Sequence, residues 1–248
     1  RSVAPLILCF ATQARHYRLM LKRFATLLTA TTLITTATST SAVAQAPDVH
    51  VAITTSAGTI TLDLDERQAP LTTANFLKYV DQKRFDGTVF YRSMHLEWGT
   101  PPNGLIQGGT QNDPKRILKP VPHEPTDKTS VLHKRGTISM ARFAPGTATG
   151  DFSILVADQP GLDARPEAQD PDAKAGFAAF GHVVKGMDVV EAIWAMPRSA
   201  TKGIGAMKGQ LLTNPVKIIS IRRTAAPTPS PATIAPATSS DAMPNAGN

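Results

Sequence analysis

The chain has 248 residues, with 42% hydrophobic side chains and a mean hydropathy of −0.11, a composition that builds a globular core and excludes a bundle of membrane-spanning helices. The formal charge of +7 does not make it a nucleic-acid binder. Arg1, Arg15, Arg18, Lys22 and Arg23 all fall in the first 44 residues, which hold no Asp or Glu; removing those five leaves 21 basic against 19 acidic residues, too even a balance for a phosphate-binding surface.

Residues 1–19 precede Met20 and read as upstream sequence lying outside the true start. They contain the only cysteine, Cys9, so the rest of the chain has no thiol or disulfide chemistry. Residues 20–44 read as an export signal: a charged Lys22-Arg23, a mildly apolar stretch from Phe24 to Thr36, and Ala42-Val43-Ala44 as a small-residue cleavage site. The apolar stretch is too short and too polar to span a bilayer. The expected location is therefore periplasmic or secreted, with a mature chain from Gln45. Residues 48–223 fit one domain of ordinary size, and the Ala/Pro/Thr/Ser-rich segment 224–248 reads as a disordered tail.

Within the domain, Val49–Thr54 and Thr59–Leu64 alternate apolar and polar residues around Ser56-Ala57-Gly58, the pattern of an antiparallel hairpin. Pro70 opens a helix whose stripe is Ala74, Phe76, Leu77 and Val80. A split motif follows: Phe85-Asp86-Gly87-Thr88-Val89-Phe90-Tyr91-Arg92, then Leu105-Ile106-Gln107-Gly108-Gly109. It reads as a turn, a strand carrying one arginine, a loop, and a strand carrying one glutamine. A period of two puts Phe90 on the face of Arg92 and Leu105 on the face of Gln107. One cation and one amide on an apolar patch suit the gripping of a peptide group better than hydrolysis, which needs a nucleophile and a base.

Strands are expected over Gly136–Ala141, Phe152–Val156, Phe177–Val184 and Val216–Ile221, and a second helix over Met187–Trp194. Many short strands, two helices and no βαβ rhythm indicate an all-β barrel or sandwich. The strongly β-branched first and last strands suggest closure by pairing of the ends. His123-Glu124 with His133 matches no metal signature. Gly203–Lys208 lacks the strand-loop-helix context of a phosphate loop, and no Ser-His-Asp set is indicated by spacing.

Four segments in order carry a resemblance: the split motif in its two halves, Gly136-Thr137-Ile138-Ser139-Met140-Ala141-Arg142, and Ala179-Phe180-Gly181-His182-Val183-Val184-Lys185-Gly186-Met187-Asp188-Val189-Val190. Over nearly all of 48–223 the chain resembles the cyclophilin family of peptidyl-prolyl cis-trans isomerases, and looks closest to its exported bacterial branch. The resemblance implies a closed eight-stranded antiparallel barrel capped by two helices, with Pro-containing unfolded or extended polypeptides as partners; no cofactor or metal is expected, and a monomer is the default. It implies catalytic roles for Arg92 and Gln107. Phe90, Leu105, Ala141, Ser153, Leu162 and Phe177 are expected at the substrate groove, with Arg142 and Asp151 on its rim.

The sequence departs from the family pattern at Gly104, Ser153 and Gly161, where aromatic residues are expected, and Phe177 replaces a histidine or tyrosine. Trp98, Phe143 or Phe177 would have to refill the wall. The same departures allow an alternative, a barrel that holds Pro-containing or unfolded segments with little catalysis. A third possibility, a small apolar ligand inside the barrel, requires an interior not filled by side chains.

Overall fold

The computed structural model describes residues 49–226. The expected leader and the cysteine lie outside these residues, as does the tail beyond Ala226. The strands are β1 (Val49–Thr55), β2 (Gly58–Leu64), β3 (Val89–His95), β4 (Gly104–Gly109), β5 (Thr137–Met140), β6 (Asp151–Leu155), β7 (Ala179–Lys185) and β8 (Leu211–Thr224). They form a closed antiparallel barrel in the order β1-β2-β7-β5-β6-β4-β3-β8. Closure is made by β1 and β8, whose register runs from His50 opposite Thr224 to Thr55 opposite Ile218. A closed barrel leaves no unpaired edge.

The helices are α1 (Pro70–Asp81), α2 (Thr126–Thr129), α3 (Pro171–Ala175) and α4 (Met187–Trp194). Helix α1 has Pro70 at its first position, where the missing N–H costs nothing. Its free amides are capped from a distance: the Glu124 carboxylate accepts from Leu71 N (3.1 Å), Thr72 N (2.6 Å) and the Thr72 hydroxyl (2.6 Å). A carboxylate at a helix N-terminus also matches the macrodipole. No helix among the described residues is long and apolar enough to cross a membrane.

The barrel interior is aromatic. Phe76 and Tyr79 of α1 join Phe85, Phe90, Phe152 and Phe180, all fully buried, with ring centroids 5.1–5.7 Å apart. Val190 and Ile193 of α4 complete the core. Large side chains filling the interior dispose of the internal-ligand reading. Any site must lie on the outer wall.

Candidate active site on the outer wall

The register of β3 against β4 decides which side chains reach the outside. Phe90 pairs with Gly108 but Arg92 pairs with Gln107, so two steps on β3 answer one step on β4. Tyr91 is the extra residue of a β-bulge. The alternation resets across it: Phe90 turns into the core while Arg92 faces outward with Gln107. The expectation that Phe90 lines the groove is thereby corrected; its ring is fully buried against Phe152. Gly108 admits that ring, since a Cβ at 108 would stand 2.7 Å from Phe90 Cδ1.

Arg92 is held on two sides. Its Nη1 donates to Gln107 Oε1 (2.7 Å) and its Nε to Gln210 Oε1 (2.8 Å), with Nη2 3.6 Å from the Met94 sulfur. Gln107 Nε2 donates to the Tyr91 hydroxyl (2.7 Å), which fixes the amide orientation. A guanidinium has five N–H donors, so two remain for a ligand among the described partners. Burial lowers the Arg92 pKa from its ordinary value, but an arginine stays charged. Burial, with a smaller effect from Asp151, raises the Tyr91 pKa and keeps the phenol neutral.

The row continues sideways on the same wall: Gln107 pairs with Ser153, and Ser153 with Ser139. Leu105 lies one alternation along, buried between Met94 and Leu155. Ala141 follows β5, with its N–H on Asp151 O (2.9 Å). Leu162 and Phe177 are joined by a backbone bond from Phe177 N to Leu162 O (2.9 Å), and both are half-buried.

Two rim residues are otherwise engaged. The Arg142 side chain is only 1% exposed. It donates to Gly176 O (2.7 Å), Phe143 O (2.9 Å) and Asp172 Oδ1 (2.8 Å), and lies 4.5 Å over the Phe177 ring. The Asp151 carboxylate accepts from Gln111 N (2.8 Å) and Asn112 N (3.3 Å), holding a turn in which both residues are left-handed. Its pKa is raised by burial, against the two amides. Neither charged head is a free rim group, which corrects the expectation for both.

Gly104, Ser153 and Gly161 carry no ring where aromatic residues were expected. Trp98 and Phe143 are 62% and 80% exposed, so neither ring is packed into it, and Phe177 alone stands in the wall beneath Arg142. Gly104 has φ +134, and a Cβ there would collide with the Met94 carbonyl. Gly161 has open space around it.

A family model described as cyclophilin type peptidyl-prolyl cis-trans isomerase/CLD matches residues 50–223, the whole barrel. The chain belongs to the cyclophilin family of peptidyl-prolyl cis-trans isomerases. Among curated relatives, a peptidyl-prolyl cis-trans isomerase of Acinetobacter baylyi is 37% identical over 176 residues, 69% of this chain and 84% of the relative. Isomerase A of Dickeya dadantii is 38% identical over 61% of this chain and 74% of its own. A solved cyclophilin of Cryptosporidium parvum superposes with a TM-score of 0.54 at 19% identity, over 73% of this chain and all of its own, and so supports the fold. The protein is an enzyme of the isomerase class, and the wall carrying Arg92 and Gln107 is the candidate site of this cyclophilin.

Sequence reasoning missed three site features. Gln210 meets Arg92 from 118 residues away with no local motif. Tyr91 was passed over because an uninterrupted strand would have turned it inward. His133 bridges Asp163 and Ser139 across separations of 30 and 6 residues.

Proposed function

We propose that this cyclophilin catalyses rotation about X-Pro bonds in unfolded or extended polypeptides, and that Arg92 supplies the catalytic interaction. A peptide bond resists rotation by about 18–20 kcal/mol because of resonance. X-Pro bonds populate both isomers yet exchange over roughly tens to hundreds of seconds. Twisting the bond breaks resonance and leaves a lone pair on the prolyl nitrogen. A donor aimed at that nitrogen favours the twisted form over either planar one, which is what acceleration requires.

The observation that carries the reading is the Arg92 fork, fixed at Nε and Nη1 by two glutamines with donors to spare on an outward face. The remaining faces suit the rest of the ligand. Gln107 is adjacent for the substrate carbonyl, and Leu105, Ala141, Ser153, Leu162 and Phe177 stand beside it for the prolyl ring. A second Cryptosporidium parvum structure, determined with the dipeptide Ala-Pro, superposes with a TM-score of 0.56 at 19% identity; a ligand of that chemistry fits the reading.

The protein acts as a monomer outside the cytoplasm, as the export signal over 20–44 supports, and belongs to the exported bacterial branch. N-terminal sequencing of the mature protein is expected to begin at Gln45.

The deciding experiment measures isomerisation of a proline-containing peptide by wild type and Arg92→Ala. Losing a fixed donor to developing charge costs about 10²–10³ in kcat. A folded Arg92→Ala variant with wild-type kcat refutes the role of Arg92. Near-background wild-type rates with measurable peptide binding would favour the holding module instead.

A further inference from the structure

The most buried titratable side chain that the isomerase reading leaves unused is His133, whose imidazole is inaccessible to solvent. Its Nδ1 lies 2.7 Å from Asp163 Oδ1, and its Nε2 lies 2.8 Å from the Ser139 hydroxyl. A carboxylate only accepts, so Nδ1 carries the proton, and in the neutral ring Nε2 accepts from Ser139. The distances are those of an acyl-transfer triad. Ser139 is 3% exposed, however, and its hydroxyl has a second acceptor in Ala178 O at 3.2 Å. A buried serine shared between two acceptors cannot receive an ester or amide carbonyl.

The neighbours in sequence point to a different task. Asp163 follows Leu162, Ala178 follows Phe177, and Ser139 stands two residues before Ala141 on the floor strand. Every end of the hydrogen-bonded chain is therefore attached to, or two residues from, a residue assigned to the groove. Asp163 Oδ1 also accepts from the His133 backbone N–H (3.0 Å), and the His133 carbonyl accepts from Gln159 N (2.8 Å). The turn Gln159–Asp163 that carries Leu162 is thus fastened to His133, and Leu162 O in turn holds Phe177 N. Ser139 sits next to Ser153, in the row that leads to Gln107 and Arg92.

We infer that His133 is the positioning residue of the proline pocket, tying the Leu162–Phe177 wall to the Ser139 floor through its two ring nitrogens. The inference rests on the groove assigned above. In a wall without rings at 153 and 161, a chain of directional hydrogen bonds does the fixing that aromatic packing would otherwise do. Such a residue governs how well the prolyl ring is held. It does not touch the reacting bond, so its removal acts on binding common to ground and transition states.

The test is steady-state isomerisation of one proline-containing peptide by the full chain and by Asp163→Ala, Asp163→Asn and His133→Ala. Asp163→Asn keeps a carbonyl oxygen where Oδ1 accepts both bonds, and so serves as the conservative rescue. Asp163→Ala and His133→Ala are expected to raise KM about fivefold to tenfold with kcat within twofold, and Asp163→Asn to restore KM to within twofold of wild type. An unchanged KM in folded Asp163→Ala overturns the inference, as does a fall in kcat at constant KM. If His133→Ala does not fold, the two Asp163 variants decide alone. Failure of the Arg92 reading is separate, because it shows in kcat of Arg92→Ala and leaves the KM comparison standing.

Discussion

Gly104 and Gly161 stand at two positions where an aromatic residue was expected, and the structure makes opposite statements about them. At Gly104 the backbone has φ +134, a conformation that costs an L-residue about 1–3 kcal/mol. A Cβ there would collide with the Met94 carbonyl and stand 2.9 Å from the carbonyl carbon, at the first pair of the β3–β4 ladder. Prying that pair apart adds an overpacking cost of about 1–3 kcal/mol. Together Gly104→Ala is expected to lose roughly 4 kcal/mol, a large share of the 5–15 kcal/mol typical of a domain. With a urea slope of about 2 kcal/mol/M, the unfolding midpoint drops by about 2 M. Gly161→Ala is the control: φ is ordinary and nothing lies within 4 Å of the added carbon, so its stability stays within about 0.5 kcal/mol of wild type and its midpoint within about 0.25 M. Tryptophan fluorescence during urea titration reads both. Equal midpoints for the two variants would refute the steric account of Gly104. If the account holds, a ring cannot be restored at 104, and Gly161→Trp is the variant to make.

Gln210→Ala removes the acceptor that orients Arg92 Nε; kcat/KM is expected to fall about threefold to tenfold with an unchanged unfolding midpoint, read by the same isomerisation assay. Glu124→Ala uncaps α1, leaving Leu71 N and Thr72 N without their carboxylate, and calorimetry should show a loss of about 1–2 kcal/mol. Burial holds the His133 pKa below its ordinary value of 6.5, against the pull of Asp163, and His95 is lowered likewise by burial. On acidification the unfolded chain therefore binds these protons before the fold does. Stability is full above the unfolded value and falls as pH drops from it toward the folded one. Urea midpoints taken across that window should decline in wild type and less steeply in His133→Asn.

Much of the fold was legible because barrel strands advertise themselves. The β1–β2 hairpin, the Pro70 start of α1, the whole of α4 and the meeting of first and last strands all rest on local pattern: alternation, a helix opener, an apolar stripe. What failed to show was everything that depends on an interruption or a distance. Phe90 was misassigned because period two holds only along an unbroken strand, and nothing in Phe90-Tyr91-Arg92 distinguishes a bulge from an ordinary step. Arg142 read as a rim charge because its acceptors, Asp172 and the Gly176 carbonyl, lie in and just after α3, 30 and 34 residues on. The His133 chain joins three residues whose spacing has no repeat. Side chains that meet only through tertiary contact leave no periodic trace.

The extra residue at Tyr91 stores an address in chain length. A strand sorts its side chains by odd and even count, and a uniform count would commit Phe90 and Arg92 to one side, either wetting a core ring or burying a cation. One inserted residue changes the count once, so the same strand serves the aromatic interior before it and the ligand after it. Because the placement of the guanidinium is set by the number of residues, exchanging neighbouring side chains weakens or strengthens its setting but does not turn it around. Only an insertion or deletion in β3 would do that. Substitution around Arg92 can therefore retune the wall while the direction of the cation stays fixed.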